Sequence, residues 1–98
     1  MERDEIVSRI RNLAQPIRAE GATALFLFGS AARDEMGPAS DVDVFVVCDP
    51  NRSVSLLHII GIKHIIEDDL GCRVDITTKE SLHPFLREQI LAEAVQVL

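Results

Sequence analysis

Asp41 and Asp43 alternate with Val42, Val44 and Val46 in the run DVDVFVVC, a pattern that fits a β-strand and little else. On a strand, side chains at i and i+2 share a face, with α-carbons roughly 6.6 Å apart. The two acids therefore project together, and the valines project into the opposite layer. Carboxylates this close repel one another unless positive charge lies between them. A divalent cation is the simplest such charge. Mg²⁺ in particular favours one or two carboxylates plus phosphate oxygens over a full protein cage.

A third acid stands where it would help. In CRVDITT, Asp75 shares strand parity with Arg73 and Thr77, whereas Val74 and Ile76 belong to the core set. If this strand neighbours the first, Asp75 can join the pair. Three carboxylates could then hold two ions about 4 Å apart, the arrangement that clamps both oxygens of an in-line phosphoryl displacement. Upstream, Gly29-Ser30 ends the apolar run Ala22 to Phe28. A glycine at a strand-to-helix turn lets backbone approach a ligand, and the helix start offers N–H groups to an anion. Ser30 adds a hydroxyl and suits an N-cap, and Arg33, one turn on, adds a cation. Phosphates on one side and metal-binding acids on the other describe a nucleoside triphosphate site.

The remaining elements follow from periodicity. Ile6, Ile10, Leu13, Ala14 and Ile17 line one helix face between Asp4 and Glu20, with a kink or break expected at Pro16 and a stop at Gly21. Ala22 to Phe28 is continuously apolar, as in a strand buried on both faces. Asp34 to Ser40 is a loop, Asp41 to Cys48 a strand, and Asp49-Pro50-Asn51 its end. Ser53 to Leu70 reads as a long helix capped by Asn51 or Ser53 and closed by Gly71. Its aliphatics occupy more than one stripe, so one side is expected to meet another chain. Cys72 to Thr77 is a third strand, and Pro84 opens a final helix whose apolar face holds Phe85, Leu86, Ile90, Leu91 and Ala94. The tail from Val95 to Leu98 adds a short edge strand. These elements make one α/β domain over residues 1–98, with a small mixed sheet of three to four strands and helices mainly on one face.

Composition narrows the setting. At 47% hydrophobic and 27% charged, the chain reads as an ordinary globular protein. No apolar run approaches the roughly 18 residues of a membrane span, and MERDEIVSRI is no secretory signal. Cys48 and Cys72 lack metal-like spacing and are expected to be free, buried thiols in a cytoplasmic protein. With 10 basic and 16 acidic residues the net charge is −6, which argues against a broad nucleic-acid-binding surface. His58, His64 and His83 show no ligand spacing, and Lys63 and Lys79 are read as surface lysines.

The segment GSAARDEMGPASDVDVFVV with the later VDI resembles the minimal nucleotidyltransferases of the DNA polymerase beta superfamily. Their pattern is Gly-Ser, ten residues, Asp-x-Asp, then a third Asp on a following strand. The resemblance covers Ala22 to the C-terminus and implies the polymerase-beta-type nucleotidyltransferase fold. It also implies that Asp41, Asp43 and Asp75 bind two Mg²⁺ ions, with Asp75 helping to deprotonate an attacking hydroxyl. Gly29 and Ser30 would hold the β- and γ-phosphates of the triphosphate, with ATP as substrate; Arg33, read from its place one turn on, is either a further phosphate contact or a surface arginine. Relatives of this size commonly work beside a small helical HEPN toxin as its antitoxin and can transfer AMP to a toxin tyrosine. Ala31 sits where many members carry Arg, and Asp34 where many carry Gly. Two other readings accompany this one: an antitoxin that masks its partner without catalysis, and a nucleotide-sugar transferase. A partner chain or a second copy is expected to complete the cleft.

Overall fold

The computed structural model describes residues Met1–Leu98. In chain order they form α1 (Arg3–Arg11), α2 (Ala14–Ala19), β1 (Ala22–Phe28), α3 (Gly29–Ala32), β2 (Val42–Cys48) and α4 (Leu56–Leu70). These are followed by β3 (Val74–Thr78), a 3₁₀ turn (Lys79–Ser81), α5 (Arg87–Glu93) and β4 (Val95–Gln96). The four strands make one mixed sheet in the order β3-β2-β1-β4. β1 runs antiparallel to β2 and β4, and β2 runs parallel to β3.

Strand parity divides the sheet into two unlike faces. Leu25, Leu27, Val42, Val44, Val46 and Val74 join Ile6, Ile10 and Ile17 of the N-terminal helices and Ile59, Ile62 and Ile66 of α4 in one core. Each such aliphatic contributes roughly 1.5–3 kcal/mol by leaving water, before its ordering entropy is counted. The other face carries Phe26, Phe28, Asp43, Phe45, Asp75 and Thr77. There Phe26 stacks on Phe45 with ring centroids 4.8 Å apart. Phe45 and Leu82 are buried yet stand outside the main core, as a small second apolar layer. The expectation that β1 is buried on both faces is therefore corrected. Phe26 and Phe28 are only half-buried, because the helices cover the opposite side.

The helix boundaries also shift, each for a local reason. The break in the N-terminal helix falls at Asn12-Leu13 rather than at Pro16. A proline ring clashes with the carbonyl four residues earlier, so it breaks the chain upstream and then sits comfortably in the first turn of α2. α4 starts at Leu56 because Ser55 is its cap, replacing the expected Asn51 or Ser53. Nδ1 of His58 accepts the Ser55 N–H at 3.0 Å, doing what a glutamate does in the usual capping box. α5 begins at Arg87, three residues after the expected start at Pro84. The Phe85 N–H donates to His83 Nδ1 and the Leu86 N–H to the His83 carbonyl, which forms a turn there. Phe85 consequently stands 91% exposed rather than on a packed face.

No side chain of its own caps α1. The cap comes from a distance: the Arg3 N–H donates to Asp34 Oδ1 at 2.9 Å. Asp34 adopts φ 58, the left-handed region that glycine enters most easily and that Asp tolerates better than most residues. Asp34→Ala loses both the cap and a residue type tolerant of that backbone. The expected destabilisation is about 1–2 kcal/mol, read as a lower midpoint in urea with unchanged slope.

Cys48 and Cys72 are free and half-buried, and burial raises both thiol pKa values. No helix is long and apolar enough to cross a membrane.

Candidate active site

The parallel pairing of β2 with β3 sets Asp43 directly opposite Asp75, and the antiparallel pairing sets Phe28 opposite Asp43. The end of β1, with the turn that follows it, and the starts of β2 and β3 therefore meet at one end of the sheet. Asp41 lies two residues before Asp43 on the same face, where β2 begins. All three expected acids are thus brought to one corner of the face opposite the main core. Asp41 and Asp43 are half-buried and Asp75 is exposed.

Gly29 packs against this corner. Its φ of 70 lies in the left-handed region, and a Cβ built there would overlap Asp43 Oδ2 and lie 3.3 Å from Asp43 Cγ. A larger residue would have to displace the Asp43 carboxylate and hold a left-handed backbone. The glycine thus sets the strand-to-helix turn against Asp43, joining two motifs separated by ten residues of sequence. Ser30 falls inside α3 instead of capping it, since Phe28 occupies the cap position and no side chain caps the turn. α3 is a single turn, so what it offers an anion is backbone N–H groups rather than a sizeable macrodipole.

The electrostatics favour a cation. Burial raises the Asp43 pKa, repulsion from Asp75 and Asp41 raises it further, and Arg33 opposes the rise. Phe28 and Phe45 flank Asp43 on the same sheet face and supply apolar surroundings. Asp41 Oδ1 lies 4.0 Å from the exposed Arg73 Nε. The expected cage of three carboxylates is not assembled by the side chains alone, for no three acidic, imidazole or thiol groups stand close enough to hold an ion. Pleat and ladder spacing separate them, by roughly 5 Å across strands and 6.6 Å along one. Facing carboxylates with strained charge still match what Mg²⁺ uses when substrate phosphates supply the other oxygens. When bound, such an ion would polarise the phosphoryl oxygens and neutralise developing charge. Asp41, Asp43 and Asp75 are the residues that would hold it.

Arg33, expected at the phosphates, is engaged elsewhere in the chain. Its Nε donates to Glu35 at 3.2 Å and its Nη1 to Glu93 at 3.1 Å. Both carboxylates raise its pKa above the ordinary value. Sequence reasoning missed Glu93, because nothing local links residues 33 and 93. It also missed Phe28 and Phe45 as neighbours of the acids, although the parity of Phe45 with Asp43 was visible.

Residues 7–97 match the family model described as a nucleotidyltransferase domain. The chain belongs to the nucleotidyltransferase family. A candidate protein adenylyltransferase of Methanocaldococcus jannaschii is 38% identical over 93 residues, covering 94% of this chain and 98% of that protein. A solved structure described as a minimal nucleotidyltransferase superposes with a TM-score of 0.81 at 36% identity, covering 97% of this chain and 95% of that one. A second solved structure is of a tri-AMPylated HEPN toxin from Shewanella oneidensis with its MNT antitoxin. It superposes with a TM-score of 0.61 over 90% of this chain and 68% of that one. At 18% identity, that likeness concerns the nucleotidyltransferase fold alone. The polymerase-beta-like architecture expected from Gly-Ser and Asp-x-Asp is thus borne out.

Proposed function

We propose that this nucleotidyltransferase moves AMP from ATP to a hydroxyl of a partner protein, as the antitoxin of a pair whose toxin is a small helical HEPN protein. The observation that carries this reading is the facing of Asp43 and Asp75 with Gly29 packed on Asp43. It joins an anion-binding turn to acids whose repulsion a divalent cation relieves. The acceptor oxygen attacks the α-phosphorus, the bond to the bridging oxygen breaks, and pyrophosphate leaves. Asp75, the exposed acid, takes up the acceptor proton. Asp41 and Asp43, with Asp75 completing the set, would hold a divalent cation that neutralises charge on the phosphates, and Gly29, Ser30 and Arg33 hold the β- and γ-phosphates. The names of the relatives support the choice of AMP and of a protein acceptor. The acceptor chemistry proposed is a tyrosine hydroxyl.

A masking reading without catalysis draws support from surplus apolar surface: Leu56 is 73% and Leu57 79% exposed. One assay separates the two. The chain is incubated with α-³²P-ATP, Mg²⁺ and the protein encoded beside it, next to an Asp41→Ala/Asp43→Ala variant. Label on the partner that vanishes in the variant is the expected result. Silencing of the partner by both proteins, with no label, would establish masking instead.

A further inference from the structure

We propose that Glu93 acts as a brake on nucleotide binding: in the free chain it occupies the guanidinium of Arg33, which then exchanges Glu93 for the phosphates of the incoming triphosphate. The inference rests on the nucleotidyltransferase reading and adds a residue outside every motif of the family pattern.

Arg33 directly follows α3, the turn packed on Asp43. Its Nη1 donates to both oxygens of Glu93, at 3.1 and 3.3 Å, and its Nε donates to Glu35 Oε2 at 3.2 Å. Two carboxylates on one guanidinium leave this cluster with a formal charge of −1. Arg33 is close enough to Asp43 to act on its charge, at the corner of the sheet where a polyanion must bind. Arg3 reaches the Ala32 carbonyl and Asp4, and Arg73 lies by Asp41. Arg33, at the end of the turn packed on Asp43, is the cation assigned to the phosphates, and two carboxylates over-neutralise it in the free chain.

The exchange is chemically easy. A guanidinium engages carboxylate and phosphate with the same forked geometry, so the new partner needs no new donor arrangement. The Arg33 side chain is 43% exposed and that of Glu93 23%. A pair this accessible to water is held weakly enough to yield to a multiply charged ligand. Glu93 is the last residue of α5, immediately before the β4 edge pairing with β1. The brake thus sits on the C-terminal segment, and nucleotide binding releases that segment from the turn.

Glu93→Gln keeps size and hydrogen-bonding capacity while removing the charge. In calorimetric titrations of the full chain with MgATP, it is expected to tighten binding about threefold to tenfold. That gain should vanish in an Arg33→Gln background and shrink as KCl is raised. In transfer assays KM should fall while kcat stays within about twofold, a split that a merely structural role would not produce. Glu35→Gln should act in the same direction, and serves if the Glu93 variant fails to fold. Unchanged affinity in Glu93→Gln overturns the brake. Weakened affinity matching that of Arg33→Gln also overturns it and makes Glu93 a positioning residue. If the wild-type chain binds no MgATP at all, the nucleotidyl-transfer reading falls and the brake with it.

Discussion

Asp43→Asn should abolish nucleotidyl transfer, by about three orders of magnitude, and at the same time make the free chain more stable. The two effects have one cause. Burial, then Asp75, then Asp41 raise the Asp43 pKa, with Arg33 opposing, so the folded state holds this proton more tightly than the unfolded chain does. For a carboxyl with a raised folded value, stability falls as pH rises. The loss begins near the unfolded value, about pH 4, and continues through the raised folded value. At neutral pH the charged Asp43 therefore costs the apo chain stability. Like charges directly opposed across a ladder destabilise by up to about 1 kcal/mol, so Asp43→Asn should raise Tm by about 2–5 °C. The gap between wild type and variant should close on acidification to about pH 4. Mg²⁺ should raise the wild-type Tm and leave that of the variant nearly unmoved. The activity loss follows from removing a charge that helps hold the ion, whose stabilisation of phosphoryl charge is worth several kcal/mol. A variant that is both inactive and less stable at neutral pH would contradict this account of the acid.

The second large effect is at Gly29. An alanine there meets two penalties: a left-handed backbone, costing about 1–2 kcal/mol for an L-residue, and collision of its Cβ with the Asp43 carboxylate. Tm is expected to fall by about 8–10 °C. Transfer should drop about a hundredfold, because the acid must shift to make room and phosphoryl transfer tolerates little displacement. The two penalties separate in a double mutant. In an Asp43→Ala background the collision disappears and only the backbone cost remains, so Gly29→Ala should be distinctly milder there. Equal costs in both backgrounds would mean that Asp43 does not press on the turn.

Much of this site was legible from local pattern. The alternation of Asp41 and Asp43 with valines gave the acids a face, and CRVDITT did the same for Asp75. Those readings depend only on the period of two of a strand, which every register preserves. The places where reading failed involve partners remote in sequence or choices between near-equal neighbours. Ser55 won the cap of α4 over Ser53 because His58 could reciprocate. The apolar residues after Pro84 have the spacing of a packed helix face, but His83 draws the chain into a turn and leaves Phe85 in water. Asp34 looked like a simple departure from a glycine, yet its side chain caps a helix 31 residues away.

The sequence by itself determined which residues could share a strand face, where glycine was required and which acids could meet a cation. Those properties follow from covalent geometry and strand period, which act over a few residues. Only the tertiary structure decided that β2 and β3 are neighbours and parallel, so that Asp43 faces Asp75. It also decided that Gly29 closes on Asp43 and that Glu93 reaches Arg33. These contacts depend on how α4 and α5 cross between strands, which is set by the burial of Ile59, Ile62 and Ile66 and by β4 pairing with the edge of β1. Side-chain burial and edge pairing are properties of the whole packed sheet, and no local stretch of sequence contains them.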